Sequence, residues 1–383
     1  MVRGEKMTRN RNGSIELLRI LACILVIMAH IQLQPFMEDG YHTGRLVMSI
    51  IVADNVPLFF LITGFFAFNR IDTDETIYSV SKYKMKSFME KILIPSVFSI
   101  IIVDVANVFW TTEGNLSTLC YTIGMSIYSF FFQLGAKNHL WYIWAYAQFI
   151  LLFPVLAFIC QEKKEKCQIR HFILGSSILA AMICDIQYFL GKTELNISDF
   201  GVGYYFIYIM LGYELSEIVR KYYKRRLCLF VIGLGLYILS FAVKYYAQIV
   251  MYNRFAIEQN RFRWLQNSMG FGTAVGLFLM VYIGFSARNE KVRFSKLIWN
   301  ISSQTFGVYL FHMFIIERTK NLSVRILSYN HNGESFGGLV GYYIEYGMVV
   351  LCITLLVSFL FNKIYGYLVN VFAVLHNKLF KKT

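Results

Sequence analysis

Arg19 and His30 stand eleven residues apart inside one apolar run. On a helix, eleven steps of 100° end about 20° past three full turns, so the two share a face, with a rise of roughly 16 Å between them. A guanidinium at the lower end can hold an anion, and an imidazole at the upper end can take a proton from a hydroxyl near neutral pH. The same pair also reads as an arginine reaching to the inner headgroups and a histidine bonded to a neighbouring helix. A second histidine closes a polar stripe in which Ser302, Thr305, Tyr309 and His312 follow one helical face. Counted from the inner ends of their segments, His312 lies about fourteen residues in and His30 about fifteen. Equal depth predicts that both imidazoles line one outer-leaflet pocket, with the stripe from Ser302 to Tyr309 as its lower wall. The alternative is a Ser/Thr stripe that holds helices together.

A third group lies in Ala53-Asp54-Asn55-Val56-Pro57-Leu58-Phe59-Phe60-Leu61-Ile62-Thr63-Gly64-Phe65. Pro57 frees a backbone carbonyl, which is tolerated within a membrane where it lines an enclosed cavity. Gly64 allows close helix approach. Asp54 and Asn55 fall near the depth of His30, so the carboxylate is a candidate to orient the imidazole; a proline kink with a locally satisfied Asp accounts for it equally well. Tyr309, His312, Asn55 and Trp141 are candidate donors to a developing oxyanion. Asp104, Asp185, Lys244 and Glu345 read as polar contacts between helices.

These residues need a membrane to hold them. Of 383 residues, 57% are hydrophobic and 16% charged, well short of the roughly 25% charge of a soluble domain, and the mean hydropathy is +0.51. Segments near 15–33, 45–68, 92–111, 139–160, 171–190, 203–219, 227–250, 267–286, 298–318 and 339–372 are apolar enough to cross as helices. The predicted fold is an all-α polytopic membrane protein of ten spans, a single domain over 1–383 without repeats, both termini cytoplasmic. With that threading the inner segments carry 25 Lys and Arg and the outer loops seven. Counting 117–134 as another span would move the later basic clusters outside, against the positive-inside rule, so that segment is expected to be external, interfacial or re-entrant. The last span is too long for a straight crossing and should tilt or continue as a cytoplasmic helix. Arg19 and the lack of an A-x-A-like site argue that the first run is retained, not cleaved as a signal.

The net charge of +14 does not imply nucleic acid, because the basic residues fall in short clusters between apolar runs. Seven cysteines with no C-x-x-C, four of them in strongly apolar runs, read as small apolar residues.

Arg19-x10-His30, the run from Val56 to Phe65, Leu140-Trp141-Tyr142, and Thr305-Phe306-Gly307-Val308-Tyr309-Leu310-Phe311-His312 together resemble the integral-membrane acyltransferase family 3. The resemblance implies transfer of an acyl group, commonly acetyl or succinyl, from cytoplasmic acyl-CoA to glycans, lipid-linked sugars or peptidoglycan at the outer face. It implies that His30 is the catalytic base or proton shuttle and that Arg19 holds the donor, with no bound cofactor or metal and acyl-CoA as co-substrate. His312 joins His30 as a candidate catalytic residue, and Thr305 and Tyr309 join Arg19 as donor contacts. The family often has closely spaced arginines before a proline after span two, where this chain has Lys82, Lys84, Lys86 and Lys91 before Pro95. Lysine holds a phosphate as a point charge only. Thr63 replaces the family's usual serine and keeps the hydroxyl. A stand-alone unit in a bacterial inner or plasma membrane is expected, acting on a glycan or lipid-linked sugar within the bilayer, with a homodimer possible and no nucleic-acid partner.

A transporter or flippase for a sugar-lipid is the competing class, since ten spans with midplane polar groups suit it. Against it, no matched pair of broken helices is evident and the polar residues concentrate in spans one, two and nine. A glycan polymerase finds support only in Arg254, Arg261 and Arg263 of one outer loop.

Overall fold

The computed structural model describes residues 12–37, 40–68, 76–111, 115–132, 139–161, 164–191, 203–255, 267–286 and 292–380. The basic residues of 1–11, and Arg261 and Arg263, lie outside them. Fifteen α-helices follow in chain order among the described residues: α1 Gly13–His30, α2 Thr43–Val52, α3 Asn55–Ala67, α4 Ile77–Phe88, α5 Ile94–Thr111, α6 Leu116–Phe132, α7 Trp141–Ile159, α8 Lys164–Phe189, α9 Gly203–Tyr222, α10 Arg226–Phe255, α11 Ser268–Ser286, α12 Val292–Ser302, α13 Thr305–Arg318, α14 Lys320–Tyr329 and α15 Phe336–Phe380. The only extended pairing among them is the two-residue antiparallel match of Phe36–Met37 with Gly40–Tyr41 after α1.

Among the described residues, eight segments are long and apolar enough to cross a bilayer. One of them, Gly203–Arg254, holds both the sixth and seventh expected spans, joined by a 3-10 turn at Tyr223–Arg225. The ninth expected span is α12 and α13, each too short to cross alone. The 17-residue α6 is apolar but shorter than a full crossing and packs on α5. The 45 residues of α15 run to about 67 Å at 1.5 Å per residue, far beyond the roughly 30 Å hydrocarbon core, so this helix continues past the membrane as expected.

Near the centre is α1, capped by Asn12 Oδ1, which accepts from the Ser14 amide at 3.1 Å. It touches α2, α3, α11, α12, α13 and α15, and Leu18 and Ala22 are wholly buried. Close packing between α3 and α9 needs glycine on both sides. A Cβ on Gly64 would sit 1.8 Å from the Ile209 carbonyl oxygen, and one on Gly212 would sit 2.1 Å from that of Leu61. Without side chains there, the two backbones meet directly, the close approach that small residues permit between membrane helices.

Two helices are broken: the second span, where a proline break was expected, and the ninth, which was expected to be continuous. Between α2 and α3 the chain turns at Ala53 and Asp54; Asn55 Nδ2 donates to the Val52 carbonyl at 2.6 Å, and Pro57 sits in the first turn of α3, where its missing N–H costs nothing. Between α12 and α13 the chain turns at Ser303 and Gln304. There α15 supplies the partners: Ser358 Oγ donates to the Gln304 carbonyl (3.1 Å) and side-chain oxygen (2.9 Å), and Asn362 Nδ2 donates to that side-chain oxygen at 2.7 Å. A pair of broken helices therefore exists, contrary to the sequence reading, and both flank α1.

Candidate active site

The second halves of the broken helices, α3 and α13, line with α1, α7 and the α4–α5 helix a cavity of about 650 Å³. Its lining includes the basic and polar residues Arg19, Lys84, Lys91, Ser303 and Asn362 together with Thr63, Tyr142, Thr305 and Tyr309. The first turn of α13 also lines it, and the first N–H groups of any helix lack intrahelical partners and carry positive partial charge.

Arg19 is held by Glu16, whose carboxylate accepts from Nη1 at 3.1 and 3.3 Å and also from Ser302 Oγ. Glu16 is 5% exposed. It ties α1 to the end of α12 and sets where the guanidinium points. The sequence reading passed over it, although it lies one turn below Arg19 in the same run.

The basic residues after span two are on a helix, not in a loop. Ile77–Phe88 continues through a π-helical turn at Met89–Leu93 into α5. Lys84 and Lys91 are seven residues apart, about 20° short of two full turns, so both reach the cavity. Lys86 is 200° from Lys84, lies outside the lining, pairs with Glu90 at 3.7 Å and is 73% exposed. Lys82 is likewise exposed and outside the lining.

Beyond the cavity the two expected histidines meet. The rings of His30 and His312 have centroids 4.9 Å apart; equal depth brings them together, but neither lines the cavity, so the expected pocket shared by both imidazoles is not seen. His30 is exposed, whereas His312 is 0% exposed. His312 Nδ1 lies 2.7 Å from the Tyr309 carbonyl. A carbonyl can only accept, so Nδ1 carries a proton and the neutral ring keeps its lone pair on Nε2. That Nε2 is buried without a partner. A third imidazole, His139, stands edge-on to His312 at 5.8 Å, and its carbonyl accepts from Tyr309 Oη at 2.8 Å. Tyr309 thus lines the cavity on one side and stands 6.0 Å from the His312 ring on the other. His139 was missed because it stands at the very edge of the fourth expected span, just before α7, and its approach to α13 is purely tertiary.

Several expected contacts are not formed. Asp54 does not orient His30: its Oδ1 accepts from Thr273 Oγ1 at 2.6 Å and lies 4.0 Å from Lys244 Nζ, both side chains essentially buried. The carboxylate, in the turn before α3, thus faces α10 and α11. Asn55 spends its amide on the Val52 carbonyl and the Val56 amide, and the Tyr309 hydroxyl is engaged by His139, so neither is a ready oxyanion donor. Trp141 lies outside the cavity lining; the next residue, Tyr142, lines it instead. Thr63 lines it while its hydroxyl donates to the Phe59 carbonyl at 2.8 Å, and Thr305 Oγ1 donates to the Ser302 carbonyl at 2.8 Å. Among the expected interhelical contacts, Asp185 accepts from the Ser268 amide at 2.6 Å and Glu345 from Asn330 Nδ2 at 3.1 Å.

A multi-helical membrane protein with a cavity lined by basic and polar side chains, separated by Tyr309 from a pair of imidazoles, is suited to acyl transfer between a charged donor and a hydroxyl. The sequence model for acyltransferase family 3, described as an acyltransferase domain, matches residues 12–363. The chain belongs to this family and is a membrane acyltransferase. No curated protein and no solved structure matches it.

Proposed function

We propose that the enzyme takes an acyl group, acetyl in the simplest case, from cytoplasmic acyl-CoA and places it on a hydroxyl of an extracytoplasmic or lipid-linked glycan in a bacterial cell membrane. Both termini and the helix bearing Lys84 and Lys91 face the cytoplasm, in keeping with the distribution of basic residues. The donor's phosphates meet Arg19, Lys84, Lys91 and the first turn of α13, a set of positive charges at one mouth. Its arm runs between Thr63, Tyr142 and Tyr309 toward the imidazoles. His30, open to the outer side, takes the proton of the acceptor hydroxyl as the oxygen attacks the thioester carbonyl; the C–S bond breaks and the proton passes to the departing thiolate. The buried His312, with its free Nε2, sets the position and proton affinity of His30 across the 4.9 Å ring contact.

The observation that supports this reading is a cavity lined by Arg19, Lys84 and Lys91 whose wall residue Tyr309 also stands 6.0 Å from the His312 ring of the His30–His312 pair. The test is consumption of labelled acetyl-CoA by membranes holding the protein, followed by mass analysis of surface glycan. Acetyl appearing on glycan with wild-type and not with His30→Ala membranes is expected. Equal consumption and labelling by both would overturn it.

A further inference from the structure

A second group of reactive side chains lies away from the cavity, at the start of α8. Cys167, Arg170 and His171 are spaced i, i+3 and i+4, so they share one face, and that face meets Glu214 of α9. Glu214 Oε1 accepts from Arg170 Nε, and its Oε2 lies 3.3 Å from His171 Nε2. A carboxylate accepts, so Nε2 carries the proton and Nδ1 keeps its lone pair; Cys167 Sγ lies beside the ring, 3.8 Å from Nδ1 and 3.9 Å from Nε2. Arg170 Nη2 donates to the same sulfur at 3.6 Å. The guanidinium is itself fixed, buried over the Tyr213 ring at 4.7 Å. A thiol faced by a base, the base held by a carboxylate and the sulfur met by a cationic N–H is the arrangement that makes a nucleophile. Water reaches it, because Cys167 is partly exposed and the His171 side chain is 57% exposed.

Among the described residues no other cysteine has an imidazole beside it, although the buried Cys160 lies near the same Arg170 and Glu214. Cys23, Cys160 and Cys184 are buried. Cys120, Cys228 and Cys352 are exposed, and no polar group contacts them among the described residues. Reading every cysteine as a small apolar residue therefore fails at Cys167. A succession of ring contacts links the group to cavity-lining Lys84: Lys84 lies over Phe153 at 4.6 Å, Phe153 stacks on Phe68 at 5.6 Å, Phe68 meets Tyr213 edge-on at 5.5 Å, and Arg170 lies over Tyr213 at 4.7 Å.

We infer that Cys167 is an S-acylation site, loaded by the acyl thioester that serves as donor; the inference rests on the proposed cytoplasmic entry of acyl-CoA. His171 Nδ1 takes the thiol proton as Sγ attacks the thioester carbonyl. The carbonyl–sulfur bond to CoA breaks, and the CoA thiolate takes the proton from His171. The products are S-acyl-Cys167 and free CoA, with no oxidant or reductant involved.

The test uses the full-length protein in detergent with iodoacetamide and, separately, with acetyl-CoA, read by peptide mass spectrometry. Cys167 should alkylate on the order of tenfold faster than Cys228, which starts α10 beside Arg226, and fall to the Cys228 rate in His171→Ala. Acetyl-CoA should add one hydroxylamine-labile acetyl group at Cys167, absent from Cys167→Ser. A Cys167 rate equal to that of Cys228, a rate indifferent to His171→Ala, or no acetyl at Cys167 would each overturn the inference. Its failure is separable from failure of the glycan reading: glycan transfer without acetyl-Cys167 sinks only the inference, and acetyl-Cys167 without transfer sinks only the glycan reading.

Discussion

Free imidazole should restore one of the two histidine variants and not the other. Positioned acid–base groups contribute about 10²–10⁴ in rate, which at 1.36 kcal/mol per decade is about 3–5 kcal/mol of transition-state stabilisation. His30→Ala and His312→Ala are each expected to lose activity in this range, with the donor KM little changed, because neither residue lines the donor cavity. The structure separates them by access. His30 is exposed, so its removal leaves a notch that solute imidazole can fill. His312 is 0% exposed, beneath His30 and beside Tyr309 and His139, so its removal leaves a closed void. The assay is acetyl transfer by membranes of each variant at rising imidazole, with thermal midpoints in detergent as a control for folding. His30→Ala should regain on the order of tenfold activity and His312→Ala none. Equal rescue of both, or rescue of His312→Ala alone, would refute the assignment of His30 as the proton acceptor in contact with the acceptor hydroxyl.

Arg19→Ala should raise the donor KM by about tenfold or more, as loss of a charge-assisted contact worth about 1.5–3 kcal/mol predicts, whereas Lys86→Ala should leave it unchanged; steady-state kinetics against acyl-CoA checks both. Lys244→Met strands the buried Asp54 carboxylate and should cost about 3–5 kcal/mol, with Asp54→Asn/Lys244→Met recovering most of it in detergent melting; a single variant as stable as wild type would mean the pair is not charged. Gly212→Ala should part α3 from α9 at a cost of about 1–3 kcal/mol and lower transfer by moving the Thr63 wall, seen as a lowered midpoint together with reduced activity. Cysteine introduced at Ser81 should resist impermeant maleimide in intact cells and one at Ser117 should react; labelling of position 81 alone would reverse the proposed orientation.

Much of the architecture was legible because membrane crossing makes local demands. Every backbone polar group in hydrocarbon must bond within its own helix, so apolar runs of sufficient length mark the crossings, and nine of the ten expected spans lie within the eight long apolar segments. The Arg19–His30 relation was also local, since helical pitch alone puts them on one face. The meeting of His30 with His312 followed from equal depth. What depth leaves open is the rotation of each helix about its axis, which is set by neighbours. Asp54 has the right depth to serve His30 but the wrong azimuth, and its partner Lys244 lies 190 residues away on α10.

The break at Ser303 and Gln304 shows the same division. No proline or glycine marks it; it persists because Ser358 and Asn362 of α15 satisfy the groups that the break releases. In the same way Tyr309 carries a cavity wall and a bond to His139 at once, and Glu214 of α9 turns a cysteine in α8 from a small apolar residue into a faced thiol. Sequence by itself determined where the chain crosses, which residues share a helical face and how deep each lies, because those follow from hydrophobicity and a fixed 1.5 Å rise and 100° turn per residue. Tertiary structure alone decided which faces meet, where a helix can afford to break and which polar groups find partners, because a buried donor or acceptor is satisfied by whatever lies across the helix interface, and no local rule specifies that neighbour.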